Sequence, residues 1–248
     1  MGSPIGSINQ HLKIMSAVLV VMPIFLIENI PSVDLPNHIA ISSVIKDLIL
    51  NPGETNVGAY YALNQSLTPY HLVYALLTPF LIVFGVQLGS KLFLGTTALL
   101  FWFAAYRLTT RFEAGPMPLW GAVYLVYSLL FFWGFVATWV GIPFLLLHLD
   151  NVFDYIDTKR TSSLVFASVF GLLAGSAHLM LVVALGWIWL SIIAVYGRQG
   201  FVPLCTAGFS SGIPMLAWVL NKWLHGNSDI SSPSLNSIII IGHSFCSK

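Results

Sequence analysis

The sequence predicts an all-α, multi-pass transmembrane bundle of about six to eight spans with one interfacial amphipathic helix, on three observations. Of the 248 residues, 57% are hydrophobic and only 8% charged, whereas a soluble domain needs roughly a quarter of its residues charged to wet its surface. Mean hydropathy is +0.85. Apolar runs near the ~20 residues that cross a bilayer recur between polar breaks. Ten Lys+Arg against nine Asp+Glu give a formal net charge of +1, so no global field gathers nucleic acid and no such partner is expected. Cys205 and Cys246 lie in unlike surroundings without metal spacing, and neither a disulfide framework nor a thiolate metal site is proposed.

The first span runs from about Leu12 to Ile30. Glu28, Asn29, Pro31 and Asp34 follow it where a signal peptide would carry small residues, so it reads as a retained anchor. Further spans run from about Pro69 to Gln87 and from Leu92 to Leu108. The stretch from Met117 to Leu149 is too long for one crossing, and Gly134, Thr138, Gly141 and Pro143 interrupt it. It is expected to fold back near Gly134 to Thr138, with Asp150, Asp154, Asp157, Lys159 and Arg160 marking an aqueous connection. A second long stretch, Leu164 to Tyr196, breaks near Gly175 to His178, and a last span runs from about Val202 to Leu220. Residues 1–220 thus form the membrane domain and 221–248 a polar tail. Ala167, Gly171 and Gly175, and again Gly208 and Gly212, fall four apart as in closely packed membrane helices. The eight tryptophans lie mostly near span ends, as an interfacial belt requires.

The longest connection, Pro31 to Thr68, carries a helical pattern. Ile41, Val44, Ile45, Leu48 and Ile49 share one face, with Ser42, Ser43, Lys46 and Asp47 opposite. This predicts a helix from about Pro36 to Leu50, stopped by Asn51-Pro52-Gly53, lying either in the membrane interface or packed on its own bundle.

Carboxylates are scarce, and Glu28, Asp34 and Glu54 all fall at or after the end of the first span. An ionisable group kept at a membrane boundary is a functional hint, set against the plainer reading of a hydrated interfacial charge. Asp34 lies just before the N-terminus of the amphipathic helix, where the helix dipole favours a negative charge. His38, four residues on, is either a satisfied interfacial histidine or, with Asp34, part of a divalent metal site. Arg107 and Arg111 share one helix face. They clamp a lipid diphosphate if their end of the bundle is that of Asp34, and are cytoplasmic anchors if it is not.

The string Asp34-Leu35-Pro36-Asn37-His38, placed after the first span and before an amphipathic helix, resembles the D-x-P-N-H-like string of bacterial members of the GT-C superfamily of membrane glycosyltransferases. Looser similarities lie in Pro69-Tyr70-His71, in Tyr127-Ser128 with Gly134-Phe135, and in His178. The resemblance covers roughly the first 200 residues. Members of the family continue through further spans, so the chain reads as a truncated N-terminal portion, a split subunit or a compact relative of such a protein. The resemblance implies sugar transfer from a polyprenyl-phosphate donor to an extracytoplasmic acceptor at the bacterial inner membrane. Asp34 would be the catalytic base or a metal-linked carboxylate, and Asn37, His38, His71, His178, Arg107 and Arg111 would surround the substrates. The competing class is a non-catalytic membrane protein, a transporter or assembly subunit. Its broken helices would be expected to carry charged residues in paired repeats, and neither the break near Gly134 nor that near Gly175 does.

Orientation is the point of conflict. With the head cytoplasmic and every break a turn, Lys46, Arg107, Arg111, Lys159, Arg160 and Arg198 fall outside, and only Lys13, Lys91 and Lys222 inside. The Lys/Arg count then opposes the extracytoplasmic loop that the resemblance implies.

Overall fold

In lipid every backbone amide must be bonded within its own segment, and the apolar runs of this chain accordingly become helices. The computed structural model describes residues 10–51, 61–63, 70–114, 117–133, 135–225 and 238–240. In chain order the elements are α1 (Gln10–Leu26), α2 (Leu35–Leu50), β1 (Tyr61–Leu63), α3 (His71–Arg111), α4 (Met117–Val126), α5 (Leu129–Phe132), α6 (Val136–Thr158), α7 (Thr161–Ala177), α8 (Leu179–Tyr196), α9 (Arg198–Pro203), a π-helical turn (Leu204–Gly208), α10 (Phe209–His225) and β2 (Ile238–Ile240). The two short strands pair antiparallel, Tyr61 opposite Ile240. Among the described residues every other regular element is helical. Ile238 to Ile240, expected within a polar tail, are therefore one half of a strand pair, and α10 carries the last apolar span on to His225.

Four helical stretches are long and apolar enough to cross a membrane: α3, α6, α8, and α9 to α10 taken together. The apolar helices α1, α4 to α5 and α7 are shorter. The distribution of polarity is that of a protein whose solvent is lipid. Met117, Tyr124, Val195 and Trp223 are each more than three-quarters exposed, while Ser16, Ser42, Thr97, His148 and Asp150 are buried. In water such an exposed apolar belt would drive aggregation; in a bilayer it faces acyl chains.

The two spans expected between Pro69 and Leu108 form one helix, α3, with a sharp turn at Gly85. Gly85 has φ 74°, the left-handed region that a side chain resists. A continuous helix would hold Phe80 and Phe93 about 20 Å apart, yet their rings lie 6.0 Å from each other. Gly89 lies so close to Phe80 that a Cβ there would meet its carbonyl oxygen at 2.4 Å. The second limb of α3 runs antiparallel to α1. Lys13 Nζ donates to Tyr106 Oη at 2.8 Å, Trp102 Nε1 donates to Ser16 Oγ at 2.9 Å, and Gly95 lies against the Phe25 ring. Arg111 thus shares an end of the bundle with the start of α1, whereas Asp34 follows the end of α1. The first limb begins beside α2 and ends at Gly85, beyond the Phe25 level. Both its ends lie on the Asp34 side, so it does not run from one end of α1 to the other as a separate span from Pro69 to Gln87 would.

The fold-back expected after Met117 is present. Trp139 Nε1 donates to the Val126 carbonyl at 2.8 Å across a separation of 13 residues, and the Phe131 and Trp139 rings lie 5.2 Å apart. The turn falls between α5 and α6, so Thr138, Gly141 and Pro143 are inside α6 rather than at a break. Trp139 and Trp189 are buried, which removes both from the expected interfacial belt, whereas Trp133, Trp187 and Trp223 are well exposed. From there the chain alternates. Helix α6 starts beside Val33, whose N–H donates to the Phe132 carbonyl, and ends at Arg111. Helix α7 returns to His178, and α8 ends at Tyr196, whose ring meets Phe153 at 6.2 Å.

The stripe Ala167, Gly171 and Gly175 is buried, as its spacing predicts. A Cβ on Gly175 would lie 2.0 Å from the Ser211 carbonyl oxygen of α10, a backbone atom that cannot rotate away, whereas one on Gly212 would meet nothing within 4 Å. Gly175→Ala is therefore expected to lower stability by about 1–3 kcal/mol through overpacking, and Gly212→Ala to leave it unchanged. Thermal unfolding in one detergent compares them, and equal midpoints would refute the α7–α10 packing.

Candidate functional site

Helix α2 forms where the pattern predicts. Pro36 occupies its first turn, and Asp34 is its N-cap residue. The Asp34 carboxylate makes no cap hydrogen bond, so it is not consumed in ending the helix. The inward-facing buried position on α2 past the first turn is Ser42, while Ile49 and Leu50 are exposed. Leu35 is buried as well and Ile39 packs against the core, so α2 turns both polar and apolar side chains inward.

The first turns of α2 and α3 meet at one pair. His38 Nδ1 and the Tyr74 hydroxyl lie 3.1 Å apart, with ring centroids at 5.5 Å. Tyr70, four residues before Tyr74 and so on its face of α3, meets the His178 ring edge-on at 5.0 Å. His178 sits at the junction of α7 and α8, where its Nδ1 accepts the Met180 N–H at 3.1 Å and caps α8. Asp34, His38, Tyr74, Tyr70 and His178 therefore gather at one end of the bundle, drawn from α2, α3 and the α7–α8 junction. His71 lies in the same first turn of α3, half-buried, and Asn37 is exposed beside His38. Glu28 is exposed at the end of α1, and Glu54 lies outside the described residues.

Burial lowers the His38 pKa from its ordinary 6.5, with the Asp34 charge acting in the opposite sense. Burial lowers that of His178 as well. A depressed imidazole is neutral in the folded protein. Its contribution is then complete above about pH 6.5 and is lost as pH falls through the lower folded value.

Arg107 and Arg111 do not belong to this group. They lie at the opposite end of α1, whose 17 residues span about 25 Å, and three carboxylates meet them there. Asp150, Asp154 and Asp157 fall on one stripe of α6. Arg111 Nε donates to Asp150 at 2.8 Å, Nη2 to Asp154 at 3.1 Å and Nη1 to Asp157 at 3.3 Å. Arg107 Nη2 reaches Asp150 Oδ2 at 2.6 Å as an ion pair without hydrogen-bond alignment. The Ser163 hydroxyl donates to Asp154. Of the expected connection, Asp150, Asp154 and Asp157 lie in the last turns of α6 and Lys159 and Arg160 link it to α7, while Arg107 and Arg111 form a staple between α3 and α6.

The metal expectation also changes. No third His, Cys, Asp or Glu joins Asp34 and His38, and no group of three such residues stands ready for a metal ion among the described residues. A carboxylate and an imidazole alone do not make a coordination set for a divalent ion.

Two features escaped the sequence reading. Tyr74 was hidden in an apolar run, although its spacing from Tyr70 was a signal. His148, inside α6, is fully buried, with Nδ1 2.7 Å from the Ala167 carbonyl and its ring against Trp189. Its signal was the rarity of an ionisable residue within a membrane run. An open apolar cavity of about 370 Å³ between α3, α4, α5 and α6, lined by Phe101, Leu108, Phe112, Leu125, Ile142 and Leu146, contains none of the expected site residues. Compared with protein-family models, with curated proteins and with solved structures, the chain matches none.

Proposed function

We propose that this chain is an integral membrane glycosyltransferase of GT-C type. It transfers a sugar from a polyprenyl-phosphate donor to an acceptor on the extracytoplasmic face, in a bacterial inner membrane. The observation that carries the reading is the gathering of Asp34, His38, Tyr70, Tyr74 and His178 at one end, with an uncommitted carboxylate at the start of α2. Inverting transfer needs a carboxylate to take the acceptor proton at such a place, next to the lipid surface from which the donor arrives.

The path of the chain supports the orientation that the resemblance implies. Because the first limb of α3 does not cross, seven crossings are proposed: α1, the second limb of α3, α4 to α5, α6, α7, α8 and α10. Lys13, Arg107, Arg111, Lys159, Arg160 and Arg198 then share the Arg111 end, and Lys46, Lys91 and Lys222 the Asp34 end. Six against three favours a cytoplasmic Arg111 end and an extracytoplasmic Asp34. Single cysteines at Val33, which is 73% exposed, and at Glu113, which is also exposed, test this after Cys205 and Cys246 are replaced by Ser. An impermeant thiol reagent applied to intact cells is expected to label Val33→Cys alone. Labelling of Glu113→Cys alone would end the glycosyltransferase reading. Sugar incorporation from a radiolabelled polyprenyl-phosphate sugar, in membranes carrying the chain, tests the activity itself.

A further inference from the structure

We infer that Tyr74 is a positioning residue for His38 in the proposed transfer: its hydroxyl donates to Nδ1, fixing the imidazole tautomer with hydrogen on Nε2. The inference rests on the proposed function for its role and on the 3.1 Å contact for its geometry. The direction of the hydrogen bond follows from the two groups. A phenol is a far stronger acid than a neutral imidazole N–H, and an imidazole lone pair a better acceptor than a phenol oxygen, so O–H···N is the favoured arrangement. Tyr74 is buried, whereas the His38 ring is half-buried and has Nε2 left for a ligand. Tyr74 on α3 and Asp34 at the head of α2 are the titratable groups set against the ring.

The pairing defines what the site would hold. Asp34 and His38 are four apart across the start of α2, so a carboxylate acceptor and an Nε2–H donor leave the same side. One hydroxyl satisfies both, donating its proton to Asp34 while its oxygen accepts from Nε2–H. In the transfer, that oxygen bonds to the anomeric carbon of the donor as its proton passes to Asp34. The bond from the anomeric carbon to the lipid-phosphate oxygen breaks, and the electron pair leaves with the phosphate. The substrate class assigned to this pair is thus an alcohol, the acceptor, rather than the phosphate.

Nitrogen-15 NMR of the full chain in detergent, labelled at histidine, tests the tautomer directly. The His38 signal is identified by its loss in His38→Gln. At pH 8 the Nε2–H tautomer is expected in the unmodified chain. Tyr74→Phe is expected to mix the tautomers and move the His38 titration upward, since a donor to the neutral ring is lost; Asp34→Asn is expected to move it downward. An Nδ1–H tautomer in the unmodified chain would overturn the inference without recourse to any variant, as would a tautomer unmoved by Tyr74→Phe. In the sugar-transfer assay Tyr74→Phe is expected to lower kcat about fivefold to tenfold, the loss of one neutral hydrogen bond, with the donor KM unchanged. Absence of transfer by the unmodified chain would refute the glycosyltransferase reading and with it the role given to Tyr74, while the tautomer still decides the geometry.

Discussion

Replacing Arg111 by Met is expected to destabilise the bundle by about 1–3 kcal/mol, because the buried Asp150 loses the cation that hydrogen-bonds it and keeps only the Arg107 ion pair. Asp150 is 2% exposed and Arg111 19%, so this pair is shielded from water, whereas Asp157, at 62%, adds little. The planar guanidinium reaches three carboxylates through three different nitrogens. A lysine ammonium offers no such fork, so Arg111→Lys should recover only part of the loss. Arg107, 40% exposed and held by one ion pair, should cost less than about 1 kcal/mol when replaced by Met. The discriminating variant is Arg111→Met combined with Asp150→Asn. If the cost lies in the stranded charge, the pair of changes is less damaging than Arg111→Met alone. Thermal unfolding in detergent orders the four proteins, and a double variant no more stable than Arg111→Met would show that the arginine acts through packing of its stem.

The same cluster shows how far the sequence reads. Arg107 and Arg111, and Asp150, Asp154 and Asp157, were visible as two helical stripes of opposite charge. Their pairing was not, because 39 to 46 residues separate the partners and nothing local says which ends of a bundle meet. The apolar runs were legible since the bilayer dictates their length, and so was α2, whose pattern and Pro36 start are local. The error in the region from Pro69 to Leu108 came from reading hydropathy as traverse. Hydropathy reports that a segment is apolar, and only the Phe80–Phe93 contact reports that the chain turns back at Gly85. That one turn exchanges the end of the bundle at which every later helix starts relative to Asp34, and with it the side to which each later Lys or Arg is assigned in the proposed topology. Asp34 and His38 were found because they share a string, and Tyr74 was missed because its partner is on another helix.

Asp34→Asn is expected to lower sugar transfer at least a hundredfold, with folding unchanged. Asn preserves the shape of the carboxylate and removes only its capacity to take a proton, a change that costs about 10²–10⁴ where the group is a general base. Stability should be indifferent because Asp34 makes no cap hydrogen bond that the substitution would break, and because Asn is itself an acceptable N-cap residue. The effect on chemistry is thereby separated from any effect on α2. Asp34→Glu adds a contrast: the base is retained but displaced by one methylene, and misplacement alone should leave more activity than Asn does. The three proteins are compared in membranes at matched levels, with initial rates of sugar incorporation measured at saturating donor. A rate in Asp34→Asn equal to that of the unmodified chain would reduce Asp34 to an interfacial charge at the start of α2. A loss in Asp34→Asn accompanied by a fall in unfolding temperature would instead assign the residue to the fold, and the proton would have to be taken by another group at the same end of the bundle, with His38 the first to test.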